Sequence, residues 1–219
     1  MDCRTLESDV YRVITVEREF GSGGAAIAKA ISDRLGWKLW DQALTQEIAT
    51  VAGVGTSAVR RCDERRDSTF ERLVRVFWRG SYESSMRLSG MEPFDTDRFV
   101  AIGQRVMEKA ADTGKCVIVG RGAPYFLRER PDAFHVFLYA PRMEKLRRLR
   151  KLGKSEREAE ALVDSIDRDR IEFVRYYFHA DWPTRCLYHL MINTAIGEEN
   201  VVSAILSTMR TLEGQPVRS

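Results

Sequence analysis

The sequence predicts an α/β domain: a three-layer, doubly wound sheet of about five parallel strands with helices on both faces. Three observations predict it. Short apolar strands alternate with helical periodicity, a strand–glycine–helix passage opens the pattern, and glycines and prolines stand where elements start or stop. At 219 residues, 44% hydrophobic and 31% charged, the chain suits one domain over 1–219 with inserted subregions.

The elements follow in order. Arg12-Val13-Ile14-Thr15-Val16 is a β-branched run of the kind a buried strand uses. Gly21-Ser22-Gly23-Gly24 makes a turn, after which Ile27, Ile31 and Leu35 set a helical spacing that Gly36 can stop. Lys38-Leu39-Trp40 reads as a second strand, and Asp41 can cap a helix over 42–52. Residues 53–98 read as an insertion over the sheet, with a turn at Gly53 and Gly55, a mixed-charge helical stretch and a loop. A helix over 99–111 leads through Gly114 to the strand Cys116-Val117-Ile118-Val119, and Gly120-Arg121-Gly122 turns into a short helix. His135-Val136-Phe137-Leu138-Tyr139 is the fourth strand, with His135 structural, and Pro141 opens a helix over 142–152. Ser155-Glu156-Arg157-Glu158 carries a capping-box signature for a long helix reaching about Phe178. Residues 187–192 supply a fifth strand and 198–212 a closing helix, with a frayed tail from Gly214.

Composition narrows the function classes. Thirty-five basic against 32 acidic residues give a net charge of +3, too mild for a protein dedicated to nucleic acid. No window approaches the roughly 18 apolar residues of a membrane helix, and the polar, acidic start Met1–Asp9 lacks the plan of a secretory signal. Cys3, Cys62, Cys116 and Cys186 are scattered without a C-x-x-C pair, so reduced thiols and a cytoplasmic location are expected. His135, His179 and His189 have no zinc-site spacing, and no protein metal site is expected; a homo-oligomer remains open.

A strand, a glycine turn and a helix make an anion site, because main-chain N–H groups converge there and the helix end adds positive potential. Two motifs fit. Gly21-Ser22-Gly23-Gly24-Ala25-Ala26 matches the dinucleotide fingerprint G-x-G-x-x-A, and Asp41 follows twenty residues later, where an acid can hold a ribose. However, Glu17-Arg18-Glu19-Phe20 stands between strand and glycine, a loop length closer to a phosphate loop. On the template G-x-x-x-x-G-K-[ST], Gly23 takes the second glycine, Arg18 the first, Gly24 the lysine and Ala25 the hydroxyl residue. A plain structural turn is the third alternative. Ligands in such sheets sit beyond the carboxyl ends of the strands, so Asp41 and Arg121 belong to the same expected crevice.

Several fragments in sequence resemble the cytidylate kinase-like family, a branch of the monophosphate kinases. They are 14–24, Trp40-Asp41-Gln42-Ala43-Leu44, Gly120-Arg121-Gly122-Ala123, Phe137-Leu138-Tyr139-Ala140-Pro141, Asp167-Arg168-Asp169-Arg170 with Asp181-Trp182, and Ile192-Asn193-Thr194. The resemblance covers most of the chain, including the family's arginine at 18 and its missing lysine. It implies strand order 2-3-1-4-5, a monophosphate-binding insertion over 53–98 and an arginine-bearing lid over 151–183. It also implies transfer of the ATP γ-phosphoryl group to CMP or dCMP with Mg²⁺, with small-molecule nucleotides as ligands.

Phosphoryl transfer needs alignment and positive charge more than covalent chemistry. Arginine, with a fixed fork of donors and permanent charge, can supply what the absent lysine does not. The candidates are Arg18, Arg168 and Arg170 for the transferring group, Gly21, Ser22, Gly23 and Gly24 for the donor, and Asp41 and Arg121 for the acceptor. At 100° per residue, Leu162, Ile166, Phe173 and Tyr177 share a stripe with Arg170 at its edge, while Arg168 and Arg175 fall opposite. An undistorted helix therefore cannot aim Arg168 and Arg170 at one ligand. The basic run Arg147, Arg148, Arg150, Lys151 and Lys154 reads as a solvated face. Tyr176, Tyr177 and Trp182 read as packing residues. A catalytically silent nucleotide-binding protein, and an NAD-type reductase, are the competing functions.

Overall fold

The computed structural model describes residues 11–51 and 94–213. At its centre lies β1 (Val13–Arg18), a strand buried at all six positions. It is followed by α1 (Gly24–Leu35), β2 (Lys38–Trp40), α2 (Gln42–Val51) and α3 (Phe94–Thr113). Then come β3 (Cys116–Val119), α4 (Ala123–Phe126), β4 (Ala133–Tyr139), α5 (Arg142–Lys151), α6 (Glu156–Phe178), β5 (Leu190–Asn193) and α7 (Glu198–Leu212). The five strands form one parallel sheet in the order β2-β3-β1-β4-β5.

Two apolar layers sandwich that sheet. On one face Ile14, Val16, Val117 and Val136 meet Ile27 and Ile31 of α1 and Val201 and Ile205 of α7. On the other, Val13, Cys116 and Ile118 meet Leu44, Met107 and Phe173. A smaller cluster joins Phe20 and Leu149 to Val163 and Ile166, so α5 and α6 pack beside the glycine turn. These layers are what the alternating pattern required, and they leave the carboxyl ends of the strands to the loops.

Three boundary differences from the sequence expectation bear on the argument. β1 runs two residues further, because Glu17 and Arg18 pair with Phe137 and Leu138 of β4. The loop therefore begins at Glu19, and Arg18 is a strand residue rather than a loop residue. α3 begins at Phe94, taking in the last five residues of the expected insertion; 53–93 lie outside the described residues. β5 starts at Leu190 after a 3₁₀ turn over Arg185–Leu187. The capping box is as expected, with Ser155 and Glu158 exchanging side-chain and main-chain bonds. Among the described residues no helix is long and apolar enough to cross a membrane, and the thiols of Cys116 and Cys186 are free.

His135 fills its structural role inside β4. Its Nδ1 meets the Thr15 hydroxyl at 2.7 Å, and its main-chain N–H donates to His189 Nδ1 at 3.0 Å. Burial, reinforced by His189, holds its pKa down at about 4, against 6.5 for the unfolded chain. The unfolded chain therefore binds the extra proton first. The stabilisation is complete above pH 6.5 and is lost as pH falls toward 4, about 3 kcal/mol in all. Urea unfolding across that window should show the decline, and His135→Gln should reduce it, leaving the share of His189, whose pKa burial also lowers. An equal decline in both proteins would assign the effect elsewhere.

Candidate active site at the carboxyl edge of the sheet

Loop Glu19–Gly23 links the end of β1 to α1. Gly21 and Gly23 have φ of +74° and +81°, which side chains rarely tolerate. Gly23 is the left-handed N-cap of α1 and makes no side-chain cap bond, and no acid stands in the first turn. Among the described residues, the amides of Gly23, Gly24 and Ala25 have no protein acceptor. Three N–H groups at a helix start, with no acid in that helix's first turn, are suited to an anion.

The outside of the loop is held firmly. Phe20 N–H donates to Asp167 Oδ1 at 2.8 Å, and Glu19 N–H to the Leu138 carbonyl at 2.9 Å. The Ser22 carbonyl accepts from the Thr194 hydroxyl at 2.7 Å and from Arg148 Nη1. Lys145 of α5 lies against Gly21, and its Nζ reaches Glu19 Oε2 at 2.7 Å and Asp167 Oδ2 at 3.4 Å. Asp167 also accepts from Arg170 Nη1 at 2.9 Å, which ties α6 to the loop. The Ser22 hydroxyl is buried and has no partner among the described residues.

Beside the loop, the sheet edge gathers buried charge. Glu17, Arg18, Asp41, Arg121 and Arg170 are each no more than 9% exposed. Arg121 Nη1 donates to the Asp41 carbonyl at 3.0 Å and lies 3.8 Å from its Oδ1. Arg18 Nη1 lies 3.5 Å from Glu17 Oε1, and Arg170 Nη1 donates to the Arg18 carbonyl at 2.7 Å. Burial lowers the Arg18 pKa to about 10, and Arg170 adds to the fall. Burial also lowers Arg121 to about 10, against the opposing pull of Asp41 and Glu17. Both guanidinium groups stay charged at neutral pH.

Backbone strain aims Arg121. Gly120, Arg121 and Gly122 have φ of +65°, +56° and +73°, three left-handed residues in succession. A side chain in that region costs about 1–2 kcal/mol. The turn persists because it delivers the guanidinium from the end of β3 across to Asp41 beyond β2. The glycines flanking Arg121 in the sequence were the visible sign of it.

The structure thus brings together Arg18, Asp41, Arg121 and Arg170 beside Gly21, Ser22, Gly23 and Gly24. It leaves out Arg168, which is exposed on the other side of α6, as the helical spacing required. Asp164 pairs with Arg142, not with Arg168. Arg175 and Tyr176 are exposed, Tyr177 donates to Asp97 at 3.0 Å, and Trp182 packs edge-on against Phe137.

Sequence reasoning missed three residues. Lys145 is buried although charged; its position four before Leu149, on the apolar side of α5, was the available signal. Arg148 belongs to a run read as solvated, yet it reaches the Ser22 carbonyl and Thr194. Glu17 was taken for a loop residue and is a buried strand residue.

Comparison with known proteins places this geometry. No curated protein matches the chain. Among solved structures, an uncharacterized protein from Eubacterium ventriosum superposes at TM-score 0.66 and 18% identity, over 91% of this chain and 99% of that one. A shikimate kinase from Acinetobacter baumannii follows at TM-score 0.52 and 16% identity, covering 94% of this chain and 97% of its own. A gluconokinase from Sinorhizobium meliloti gives 0.50 and 12%, with 92% and 93% covered. Identities this low bear on the fold, a P-loop kinase fold. The sequence itself matches the cytidylate kinase-like family over residues 13–196, nearly the whole described region, and the chain belongs to that family.

Proposed function

We propose that the protein transfers the γ-phosphoryl group of ATP to CMP or dCMP. Family membership and fold support a kinase-like phosphotransferase. The observation that carries the finer reading is the pairing of open helix-start amides at 23–25 with buried guanidinium groups across the same sheet edge.

The division of labour follows from position. The amides of Gly23, Gly24 and Ala25 hold the donor phosphates. Arg121, braced by Asp41, grips the acceptor phosphate. Arg18 and Arg170 lie between them and offset the charge on the transferring group. An acceptor phosphate oxygen attacks the γ-phosphorus while its bond to the β,γ-bridging oxygen breaks, giving a nucleoside diphosphate and ADP. Segment 151–183 acts as the lid that excludes water, and 53–98 as the monophosphate-binding insertion. Arg168 faces away and takes no part.

Magnesium enters on the nucleotide. Ala25 has no hydroxyl to hold it, and among the described residues no three His, Cys, Asp or Glu side chains are grouped for a metal. No step is therefore routed through an ion held by the described residues. The ligands are small nucleotides in the cytoplasm.

The test is ADP release with ATP, Mg²⁺ and each of CMP, dCMP, UMP and AMP. Turnover that depends on CMP or dCMP is expected. Folded protein that binds nucleotide without any acceptor-dependent turnover would mark a silent binding protein instead.

A further inference from the structure

We propose that Arg18 and any side chain at position 24 exclude one another, so that the cation of this phosphate loop enters from β1 and is seated by Gly24 and Gly120. The lysine that phosphate loops carry at this position has been exchanged, not merely lost. The inference deepens the kinase reading and rests on it for what the charge does, though not for the geometry.

The path of Arg18 carries the case. A Cβ built on Gly24 would lie 2.8 Å from Arg18 Cγ and 3.0 Å from its Cβ, closer than real Cβ atoms come. The Cβ is fixed by the strand and cannot swing away, and the Cγ can do so only by changing χ1 inside a buried site. The head lies against Gly120, where a Cβ would meet Arg18 Nη1 at 1.9 Å, although the φ of +65° already calls for glycine there. Two glycines, one opening α1 and the other ending β3, therefore define a channel for a single arginine. Arg18 leaves β1 on the α1 side of the sheet, passes Gly24 and ends beside Gly120.

Gly24 needs another explanation if this one is wrong. It has no positive φ, so its backbone does not require glycine. It opens α1 in ordinary helical backbone, a conformation that does not call for glycine. What remains is the space taken by Arg18. A lysine at 24 would bring its stem into the same volume as the Arg18 stem. One cation can be seated there, and the β1 route places it beside Gly120, next to Arg121 and Asp41. Relative to a loop lysine, the charge has moved from the donor toward the junction between donor and acceptor.

Four proteins test the steric claim without nucleotide: wild type, Gly24→Ala, Arg18→Ala and the double variant. Thermal unfolding should show Gly24→Ala lowering Tm by about 2–4 °C or more in the wild-type background. In the Arg18→Ala background, which removes Cγ and the head but keeps the Cβ, the same change should lower Tm clearly less. An equal fall in both backgrounds would overturn the proposal. A second set reads the exchange as ATP affinity by calorimetry. Gly24→Lys and Arg18→Ala should each weaken binding by about tenfold, the worth of one charge-assisted hydrogen bond. The double variant should recover much of that loss, and independent losses would overturn the exchange. If wild type binds no ATP, the kinase reading is wrong, and the unfolding set still decides the seat.

Discussion

Replacing Arg121 by methionine should lower kcat/KM for the acceptor by about 10²–10³-fold, the scale of losing one preorganised charge partner of a transition state. Arg121 is held at the end of β3 by a left-handed turn and braced by the Asp41 carbonyl at 3.0 Å, so little reorganisation is needed when the acceptor arrives. ATP affinity should change little, because the donor amides lie across the edge at 23–25. Arg121→Lys keeps the charge but loses the planar fork, and should fall between the two. Steady-state kinetics with CMP varied at saturating ATP, alongside circular dichroism for folding, would decide. Unchanged kcat/KM in folded Arg121→Met would remove Arg121 from the acceptor site.

Asp167→Ala should lower stability by about 1.5–3 kcal/mol, the range for losing hydrogen bonds to a charged group. Its carboxylate serves three donors at once: Phe20 N–H at 2.8 Å, Arg170 Nη1 at 2.9 Å and Lys145 Nζ at 3.4 Å. Lys145 and Arg170 are nearly fully buried, so their charges cannot turn to water for replacement. The loop should also loosen, since Phe20 loses its anchor to α6. Asp167→Asn retains an acceptor for Phe20 and should cost less. Urea unfolding gives the energy, and hydrogen exchange at the loop amides gives the loosening. Wild-type exchange at Phe20 in Asp167→Ala would show that the loop is held by other means.

Much of this fold was legible because its determinants are local. Period and punctuation located the strands, Pro141 and the capping box located α5 and α6, and 100° spacing separated Arg170 from Arg168. Arg121 was legible because its glycines mark an unusual backbone. The end of β1 was not, because Glu17 and Arg18 are charged and look like loop residues. What makes them strand is pairing with Phe137 and Leu138, some 120 positions away. Lys145 and Arg148 were hidden for a related reason: only the packing of α5 beside the glycine turn gives them a role. The path of Arg18 could not be read, because Gly120 lies far along the chain from Arg18 and Gly24 and only the sheet brings them together.

The hydroxyl of Thr194 and the carbonyl of Ser22 lie 172 positions apart in the chain. A ribosome adding about 5–20 residues per second needs on the order of 10–35 s to reach Thr194 after Ser22. Over that interval the turn gains its braces one by one, from Leu138, Lys145 and Asp167, with the Thr194 hydroxyl the last to arrive. Competence is therefore completed late in synthesis, and chains that stop short of Thr194 should hold the turn less firmly.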